Sequence, residues 1–539
     1  MKEKEVIVLD SDSDEGEDMR RAIELSLQDP SMMNEEAAPT AKSTESSAAV
    51  DHTTFGGISL NRKEMEEARL NRLGKRRRNS NESGAGEPAM KRSTPQQSER
   101  GGGLRARYPQ GTVRRTWAQG YTKTSDDITI EEIFQKEHLQ LALLSSFQWD
   151  EEWLLSKLNV SKTRILLVAF AAGEEQKQIM RDNVPKNIRF CFPPMHGAGS
   201  MHSKLQLLKY PSYLRLVIPT GNLVPYDWGE TGVMENMVFV IDLPRLEANG
   251  ARGTTVFAED VANFLKASGV EDAMVKSLGN YDFSATENLG FVCSIPGGHT
   301  GDALRRVGYC GLGATVRGLG LATDTPIEVD LACASLGSIK YDLINAMYNA
   351  CQGDEGLREY NARVGRKPNN KEIQPTEKLR DRFRIYFPTD QTVAKSKGGR
   401  QSAGTICVQA KWWRSPTFPR ELVRDCINNR GGLLMHTKII FVRRPAGAEL
   451  IGQSTYGGWA YIGSANLSES AWGRVVKDRG TGNAKMSCRN WECGVVVPVQ
   501  GSPGNDGGFT MFSGTVPVPM EVPGRPYEKT DEPWFFDDQ

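Results

Sequence analysis

The chain has 539 residues, of which 38% are hydrophobic and 25% are charged, and its 67 basic and 67 acidic residues cancel to a net charge of zero. This length predicts two or three domains, and the neutral total excludes a histone-like polycation without excluding a local basic groove for nucleic acid. The apolar fraction is low, which indicates that part of the chain does not fold.

Residues 1–112 are expected to form a disordered tail. They are rich in Ser, Glu, Gly, Asn and basic residues, and the first of the ten tryptophans is Trp117. A segment with few large apolar side chains cannot offset the entropy lost on ordering. The N-terminal segment MKEKEVIVLDSDSDEGED has an apolar run of only four residues before it turns acidic, and no stretch approaches the roughly 18 to 20 apolar residues of a membrane span. We therefore expect neither a secretory signal nor contact with a membrane.

Two motifs near the start of the tail predict binding to modifier proteins. The segment Val6–Leu9 (VIVL) precedes the acidic run DSDSDEGED and resembles a SUMO-interacting motif, which adds a strand to a partner's sheet. A casual apolar run is the alternative. Residues 17–29 resemble a ubiquitin-interacting motif, because Met19, Ala22 and Ser26 would share one helical face. An incidental amphipathic helix is the alternative.

A third tail motif is basic. The run 75–78 reads KRRR, and Lys91–Arg92 follows after a gap. This pattern predicts a nuclear localisation signal, with a non-specific DNA-binding arm as the alternative. Both interpretations place the protein with DNA, and the first predicts that it is in the nucleus.

The cysteines do not indicate a disulfide framework or a zinc knuckle. There are nine of them, an odd number, and they are scattered without a C-x-x-C pair. Reduced thiols in an intracellular compartment are the better prediction.

Beyond the tail, the pattern predicts alternating strands and helices. Six apolar runs have the length and β-branched content of strands: 164–170, 214–219, 238–243, 438–442, 459–463 and 494–499. Helical patterns cover 149–158 and 258–267, and strands mixed with helices indicate α/β layers. The Gly-rich stretch 308–320 is interpreted as a connector between two lobes. Within it, residues 311–316 (GLGATV) lack the third glycine of a dinucleotide loop, and no good strand precedes them.

A short motif that contains histidine and lysine occurs twice. The chain reads M-H-S-K at His202 and M-H-T-K at His436, which sets an internal repeat of 436 − 202 = 234 residues. On an extended strand the histidine and the lysine two positions later, Lys204 or Lys438, would project from the same face. This long period predicts two similar lobes rather than a solenoid of short units.

The match continues after each motif. Asn222 follows Lys204 by 18 positions, and Asn466 follows Lys438 by 28 positions. Glu235 and Glu492 each precede a further apolar run. A single H-x-K triplet is weak evidence for a site, but its recurrence with the same Asn and Glu partners is strong evidence. The other histidines, at positions 52, 138, 196 and 299, have no such partners, and we expect no catalytic role for them.

Such a set suits phosphodiester chemistry. Two histidines from opposite lobes would flank one phosphorus atom, one attacking it and the other protonating the leaving oxygen. The lysines and asparagines would hold the non-bridging oxygens, so no metal is required. Glu235 and Glu492 would each fix the tautomer of one histidine.

The duplicated H-x-K and Asn pattern resembles the phospholipase D superfamily. Most members of that superfamily have an Asp after the H-x-K, and neither HSKLQLLKY nor HTKIIFVRR contains one. With the later Asn and Glu, this absence resembles the tyrosyl-DNA phosphodiesterase (type 1) family. The segments TGNLVPYDWGE, SANLSESAWG, FQWDEEWLLSKL and PVPMEVPGRPYEKTDEPWFFDD are similar to that family too. The resemblance covers the chain from Trp117 to Gln539.

The resemblance implies a fold of two α/β/α-sandwich lobes, here residues 113–318 and 319–539, and a monomer without cofactor or metal. It implies hydrolysis of the 3′-phosphotyrosyl bond between DNA and trapped topoisomerase I. The substrates would be 3′ ends of single-stranded or duplex DNA that carry tyrosyl or peptide adducts.

The same resemblance assigns residue roles. It implies His202 as the nucleophile that forms a phosphohistidine, and His436 as general acid and then general base. Phosphate-binding residues would be Lys204, Lys438, Asn222 and Asn466. Ser335 would lie in a loop at the DNA strand.

Two departures and two rival functions remain open at this point. An insert, 445–458 (PAGAELIGQSTYGG), separates Lys438 from Asn466, and Glu235 lies in a poorly matching loop. The rivals are a ubiquitin- or SUMO-binding scaffold with a non-catalytic lobe pair, and a nuclease or phospholipase of the same superfamily. Trp412 and Trp413 are expected to pack in the core. Stacking on DNA bases is the alternative, because basic residues flank the pair.

Overall fold

The computed structural model of the protein describes residues 105–247, 254–365, 377–445, 456–501 and 508–535, together with the backbone of two short strands before them. The three tail motifs lie outside the described residues, as does most of the insert 445–458. Within the described part of the chain, no helix is long and apolar enough to cross a membrane.

Strands and helices alternate through the first half. β1 (Thr54–Phe55) and β2 (Ile58–Ser59) form a separate antiparallel pair. The strands that follow are β3 (Thr112–Thr116), β4 (Asp127–Ile128), β5 (Leu141–Ser145), β6 (Arg164–Val168), β7 (Ile188–Cys191), β8 (Gln206–Lys209), β9 (Tyr213–Pro219), β10 (Met234–Glu235) and β11 (Met237–Pro244). The helices are α1 (Ile130–Phe134), α2 (Glu151–Ser156), α3 (Glu174–Asp182), α4 (Val256–Ala267) and α5 (Asp272–Lys276), with 3-10 turns at Ser277–Asn280 and Ser284–Thr286.

The second half repeats this alternation. Its strands are β12 (Gly290–Ser294), β13 (Gly297–Thr300), β14 (Glu328–Ala332), β15 (Ser335–Leu336), β16 (Phe383–Phe387), β17 (Cys407–Val408), β18 (Val423–Asp425), β19 (Leu434–Met435), β20 (Ile439–Arg443), β21 (Tyr456–Gly463), β22 (Arg474–Lys477), β23 (Ala484–Cys488) and β24 (Glu492–Gln500). Its helices are α6 (Gly308–Gly318), α7 (Tyr341–Cys351), α8 (Leu357–Val364), α9 (Glu377–Arg382), α10 (Asp390–Ala394), α11 (Ala410–Trp413) and α12 (Glu469–Trp472), with 3-10 turns at Gly301–Arg306, Arg400–Ser402, Arg420–Leu422 and Thr510–Phe512.

Two mixed sheets form the centre of the molecule. One has eight strands in the order β4-β3-β11-β9-β8-β5-β6-β7, and the other has seven in the order β12-β24-β21-β20-β14-β16-β18. In the first sheet, the antiparallel strands β8, β9 and β11 lie beside the parallel strands β5, β6 and β7. In the second sheet, the antiparallel strands β20, β21 and β24 lie beside the parallel strands β14, β16 and β18. The same succession in both sheets confirms the prediction of an α/β fold with two similar lobes.

The two lobes share one large core between their sheets. Along β11, Met237, Phe239 and Ile241 belong to this shared core, whereas Val238 and Val240 belong to a smaller core on the outer face of the first sheet. Because both faces are covered, the strands are nearly continuous apolar runs. This is why all six predicted strands are present with ends that differ by at most three residues.

Local hydrogen bonds set the observed helix ends. The helix predicted at 149–158 is the shorter α2, which begins after Asp150 because that carboxylate accepts the Trp153 N–H at 2.9 Å. The helix predicted at 258–267 begins earlier, since the Thr255 hydroxyl caps α4. Trp412 and Trp413 are buried in α11, as the core-packing prediction requires.

The prediction of a connector at 308–320 is wrong. Residues 308–318 form α6, and its glycines allow neighbouring backbone to approach closely: a Cβ at Gly313 would lie 1.8 Å from the Asp354 carbonyl oxygen. The predicted lobe boundary at 318/319 also falls too late, because β12 already pairs with β24 of the second sheet. The glycines of this stretch, which suggested a connector, serve close packing of α6 instead.

Candidate active site

A cleft between the lobes collects most of the residues that the sequence singles out. It lies where β5 and β14 end and where the chain enters β8 and β20. Its lining residues are Phe147, Gln148, Ser200, His202, Asn222, Ser335, Gly404, Thr405, Cys407, His436, Asn466, Ser468, Ala471, Asn490 and Glu492. The predicted lysines, Lys204 and Lys438, are fully buried beside the two histidines.

His202 is held by residues of the other lobe. It lies in an extended segment just before β8, where Met201 pairs in parallel with Trp491 and the His202 N–H donates to the Trp491 carbonyl at 3.1 Å. Its Nδ1 lies 2.9 Å from Oε2 of Glu492. The next contact of the ring is Lys204, whose Nζ lies 3.4 Å from Nε2. A proton on Nδ1 leaves the lone pair on Nε2.

The Glu492 carboxylate is itself held in place. Its Oε2 accepts a hydrogen bond from the Ser464 hydroxyl, and its Oε1 accepts one from Nδ2 of Asn490 at 3.1 Å. These donors keep the carboxylate aimed at the imidazole. The structure thus pairs Glu492 with His202, as predicted for one glutamate of the repeat.

His436 occupies the equivalent position with the lobes exchanged. It follows β19, which pairs in parallel with β10 of the first lobe, and its N–H donates to the Glu235 carbonyl at 3.1 Å. Its Nδ1 lies 3.0 Å from each carboxylate oxygen of Asp227. Asp227 also accepts hydrogen bonds from the Asn222 backbone N–H at 2.6 Å and from Nδ2 of Asn236 at 3.0 Å.

The predicted pairing of Glu235 with a histidine is therefore wrong. Glu235 pairs with Met435 in register, as Trp491 pairs with Met201, so the residue that corresponds to Glu492 is Asn236. The Glu235 side chain instead forms a buried ion pair with Arg430. An amide replaces the carboxylate at the Glu492-equivalent position, and Asp227 supplies the missing charge.

The two asparagines are oriented alike. Oδ1 of Asn222 accepts the backbone N–H of Gln148 at 3.3 Å, and Oδ1 of Asn466 accepts that of Ser335 at 3.1 Å. Because each amide oxygen is occupied by backbone, each amide N–H₂ group is left to donate. Nδ2 of Asn222 reaches Oε1 of Gln148 at 3.2 Å, which also accepts the Tyr226 hydroxyl at 2.7 Å.

The lysines are anchored through carbonyl oxygens. Nζ of Lys204 donates to the His202 carbonyl at 2.9 Å, and Nζ of Lys438 donates to the carbonyls of His436 at 2.6 Å and Thr220 at 3.2 Å. These bonds hold two ammonium groups next to the two imidazoles. A bound anion would complete their coordination.

Burial sets the protonation of the histidines. It lowers the pKa of His202 to about 4, with the Lys204 charge acting in the same direction and Glu492 opposing both. It also lowers the pKa of His436 to about 4, against the opposing charge of Asp227. Both imidazoles are therefore neutral near pH 7 in the free protein.

The other ionisable groups respond to the same crowding. Burial lowers the pKa of Lys204 to about 8, and burial together with the neighbouring Lys204 lowers the pKa of Lys438 well below its ordinary range. Burial raises the pKa of Asp227 and Glu492, but the adjacent histidines and lysines outweigh it and hold both pKa values below the usual range. The repulsion between the ammonium groups favours binding of an anion.

Ser335, which was predicted to lie in a loop at the DNA strand, begins the short strand β15 and lines the cleft. It is 6% exposed, and no described residue hydrogen-bonds its Oγ. Sequence reasoning missed two residues of the site, Asp227 and Gln148. Asp227 had a signal, an acid five positions after Asn222 inside an otherwise apolar segment, whereas Gln148 had none.

A profile of known sequences decides the family. The model of the tyrosyl-DNA phosphodiesterase family matches residues 112–528. The chain belongs to this family. As a tyrosyl-DNA phosphodiesterase family member it is a phosphodiesterase, a hydrolase with the phospholipase D fold.

Relatives of this family agree over most of the chain. Tyrosyl-DNA phosphodiesterase 1 of Drosophila melanogaster is 24% identical over 446 residues, which cover 76% of this chain and 70% of the relative. The Arabidopsis thaliana protein of the same name is 23% identical over 454 residues, covering 74% and 69%. The crystal structure of the yeast tyrosyl-DNA phosphodiesterase superposes with a TM-score of 0.55 at 18% identity, covering 79% of this chain and all of that one.

Proposed function

We propose that this enzyme hydrolyses 3′-phosphotyrosyl bonds between DNA and topoisomerase I-derived peptides through a phosphohistidine on His202. One observation carries the proposal: two histidines line one cleft, and each is fixed at Nδ1 by a carboxylate of the opposite lobe. Each Nε2 is thereby left for chemistry on a group that enters between the lobes. The substrate class follows from the family.

The first step transfers the phosphoryl group to the enzyme. Nε2 of His202 attacks phosphorus, the bond between phosphorus and the tyrosyl oxygen breaks, and Nε2 of His436 donates a proton to the leaving phenolate. The anionic substrate offsets the charges of Lys204 and Lys438, which raises the pKa of His436 and allows it to carry that proton. Glu492 stabilises the positive charge that develops on His202.

The second step releases the DNA. Nε2 of His436, now neutral, accepts a proton from water, and the water oxygen attacks phosphorus. The bond between phosphorus and His202 breaks, which leaves a 3′-phosphate on the DNA and restores the imidazole. Asp227 stabilises the imidazolium of His436, as Glu492 does for His202.

Charge on the non-bridging oxygens is balanced throughout by the protein. The two ammonium groups and the amide N–H₂ groups of Asn222 and Asn466, whose amide oxygens are held by backbone N–H groups, would donate to these oxygens. The Ser335 hydroxyl, which has no hydrogen-bond partner among the described residues, would meet the DNA strand beside the cleft.

Release of tyrosine from a 3′-phosphotyrosyl oligonucleotide in the presence of EDTA tests the proposal. We expect turnover to continue, because lysine and asparagine side chains stabilise the charge on the phosphate oxygens that a metal ion stabilises in other enzymes. A matched oligonucleotide that ends in an unmodified 3′ hydroxyl should react far more slowly. Cleavage of its last phosphodiester bond expels the alkoxide of an alcohol, which is a weaker acid than the tyrosine phenol. Loss of tyrosine release in EDTA, or faster cleavage of the unmodified DNA, would contradict the proposal.

The tail motifs extend the proposal to location and partners. The basic run 75–78 would direct the enzyme to the nucleus, and the motifs at 6–9 and 17–29 would bind SUMO and ubiquitin. Replacing Ala22 by Arg puts a bulky charge on the contacting helical face and should abolish ubiquitin binding. NMR titration of labelled ubiquitin with the full chain measures this binding. Ubiquitin signals that do not shift with the unsubstituted chain, or that shift equally with the Ala22→Arg variant, would contradict the motif assignment.

A further inference from the structure

A second concave surface lies at the far end of the first sheet. Its apolar floor includes Leu141, Leu143 and Leu207, and α4 and α5 form its wall with Leu265 and Met274. The active-site residues follow the carboxyl end of β5, whereas this surface lies at its amino end. A strand of five residues spans about 16 Å, so the two sites are separate.

Positive charge surrounds this apolar floor. The rim carries five basic side chains, Arg164, Lys186, Arg189, Lys209 and Arg245. Among the lining residues, the one carboxylate that the described chain places there is Glu271. No described acid forms an ion pair with any of the five cations. We call this surface the basic groove, and its chemistry suits a ligand that is apolar and strongly acidic.

The basic groove also borders an open sheet edge. β7, which carries Arg189, is the last strand of the eight-stranded sheet, and no described strand pairs with its outer side. An unpaired edge can accept an extended segment through main-chain hydrogen bonds, with side chains entering the adjacent pockets. A segment with a preference for extended structure therefore fits the basic groove.

We propose that the basic groove binds the chain's own tail segment 6–18. This segment begins with the β-prone apolar run VIVL and continues with six acids: Asp10, Asp12, Asp14, Glu15, Glu17 and Asp18. The apolar run fits the floor, and six carboxylates face five cations. The 86 residues between positions 18 and 105 reach about 50 Å as a flexible coil, which is long enough to span the first lobe.

Two consequences follow. The segment contains the SUMO-like motif, so binding in the basic groove withholds it from other partners without covering the catalytic cleft. Phosphorylation of Ser11 or Ser13 would add charge opposite the basic rim and strengthen the contact.

Zero-length carboxyl-to-amine cross-linking of the full chain, followed by mass spectrometry, tests the proposal. We expect links from residues 10–18 to Lys186 and Lys209. In the double variant Arg164→Glu, Arg189→Glu, their yield should fall about fivefold or more, since an exposed ion pair contributes a factor of up to about five. Lys529→Glu, an exposed charge reversal outside the groove, should leave the yield unchanged.

A second variant separates docking from simple charge attraction. Val8→Asp adds negative charge but removes an apolar contact, so the proposal expects fewer links, whereas attraction alone would give more. Mixing ¹⁵N-labelled and unlabelled chains identifies links between two copies. Links that join different chains, that spread evenly over exposed lysines, or that rise in Val8→Asp would overturn the proposal.

Discussion

Each histidine of the cleft depends on a carboxylate from the other lobe. The Nδ1 atoms of His202 and His436 lie within 3.0 Å of Glu492 and Asp227, respectively. Neither lobe therefore contains a complete acid-base pair, although each contains its own histidine, lysine and asparagine. The two histidines nevertheless have different tasks, which variants can separate.

Loss of His436 should trap the covalent intermediate. The phenolate of tyrosine is a fairly good leaving group, with a pKa near ~10, so the first step needs little help from an acid. Attack by water on the phosphohistidine needs a base, and general-base catalysis contributes about 10² to 10⁴. We expect His436→Asn or His436→Arg to accumulate a protein–DNA adduct on a denaturing gel, and His202→Ala to accumulate none. The reverse pattern would exchange their roles.

The carboxylates should separate the same two steps. Asp227→Asn should slow adduct hydrolysis, and Glu492→Gln should slow adduct formation, each on the order of 10²-fold or more, because an amide no longer stabilises the imidazolium. Single-turnover quench experiments resolve the two rates. Glu235→Gln is the matched control, since its side chain contacts Arg430, and its rates should stay near wild type. A slow hydrolysis step in this control would restore Glu235 to the catalytic set.

The pH range of activity should differ from the range that histidine and lysine of ordinary pKa would give, because burial lowers the pKa of both kinds of residue in the cleft. The nucleophile His202 must be neutral and its pKa is about 4, while Lys204 must be charged and its pKa is about 8. The profile of kcat/KM, which reports the free enzyme, should fall on the acid side near pH 4 and fall on the basic side at pH 8 or below, because Lys438, whose pKa is lowered as well, must also be charged. An acid limb near the ordinary histidine pKa of 6.5 would contradict this assignment.

Stability must be measured in parallel, because it has a pH dependence of its own. A histidine whose folded-state pKa lies below 6.5 binds fewer protons in the folded than in the unfolded chain between pH 6.5 and 4. Folding stability therefore falls as the pH falls through that window. Circular dichroism at each pH distinguishes unfolding from titration of the nucleophile.

At the scale of elements, α6 shows what glycine does in this fold. Gly313→Ala should gain helix propensity, yet its new Cβ would meet the Asp354 carbonyl oxygen at 1.8 Å, so we expect a loss of about 1–3 kcal/mol. Gly318→Ala, in the same helix, meets nothing within 4 Å and should stabilise by up to about 1 kcal/mol. Urea unfolding measures both changes, and equal effects would show that packing at Gly313 is not tight.

Sequence patterns located the strands and the repeated motifs but not every partner. Buried strands such as β11 are apolar at every buried position but one, Asp242, and the two H-x-K motifs enter equivalent strands, so both could be predicted. Asp227 could not be paired with His436 in advance, since the contact depends on how a loop of one lobe meets the other. Glu235 misled because, like Glu492, it comes just before a buried apolar run, whereas the pairing with the strand of the other lobe is offset by one residue.

At the scale of the whole molecule, the folded body begins before the boundary expected at residue 112. The backbone N–H groups of Arg107 and Tyr108 donate to Oδ2 of Asp242 at 2.7 and 3.1 Å, and the Tyr108 ring lies 5.1 Å from the Arg215 guanidinium. Asp242 and Arg215 are fully buried and form an ion pair. The last few residues of the predicted tail thus complete a charged cluster inside the first lobe.

Two truncations separate the tail from this cluster. Deleting residues 1–104 removes none of these contacts and none of the cleft, so turnover on a short tyrosyl oligonucleotide should stay nearly unchanged. Deleting residues 1–110 removes both donors to Asp242 and the ring on Arg215, which should cost about 2–4 kcal/mol because buried carboxylate oxygens lose charge-assisted hydrogen bonds. Thermal unfolding of the two proteins measures the difference, and kcat is compared at a temperature where both are folded. Equal melting temperatures would show that residues 105–110 are dispensable, and a large fall in kcat for the shorter deletion would give the tail a part in catalysis.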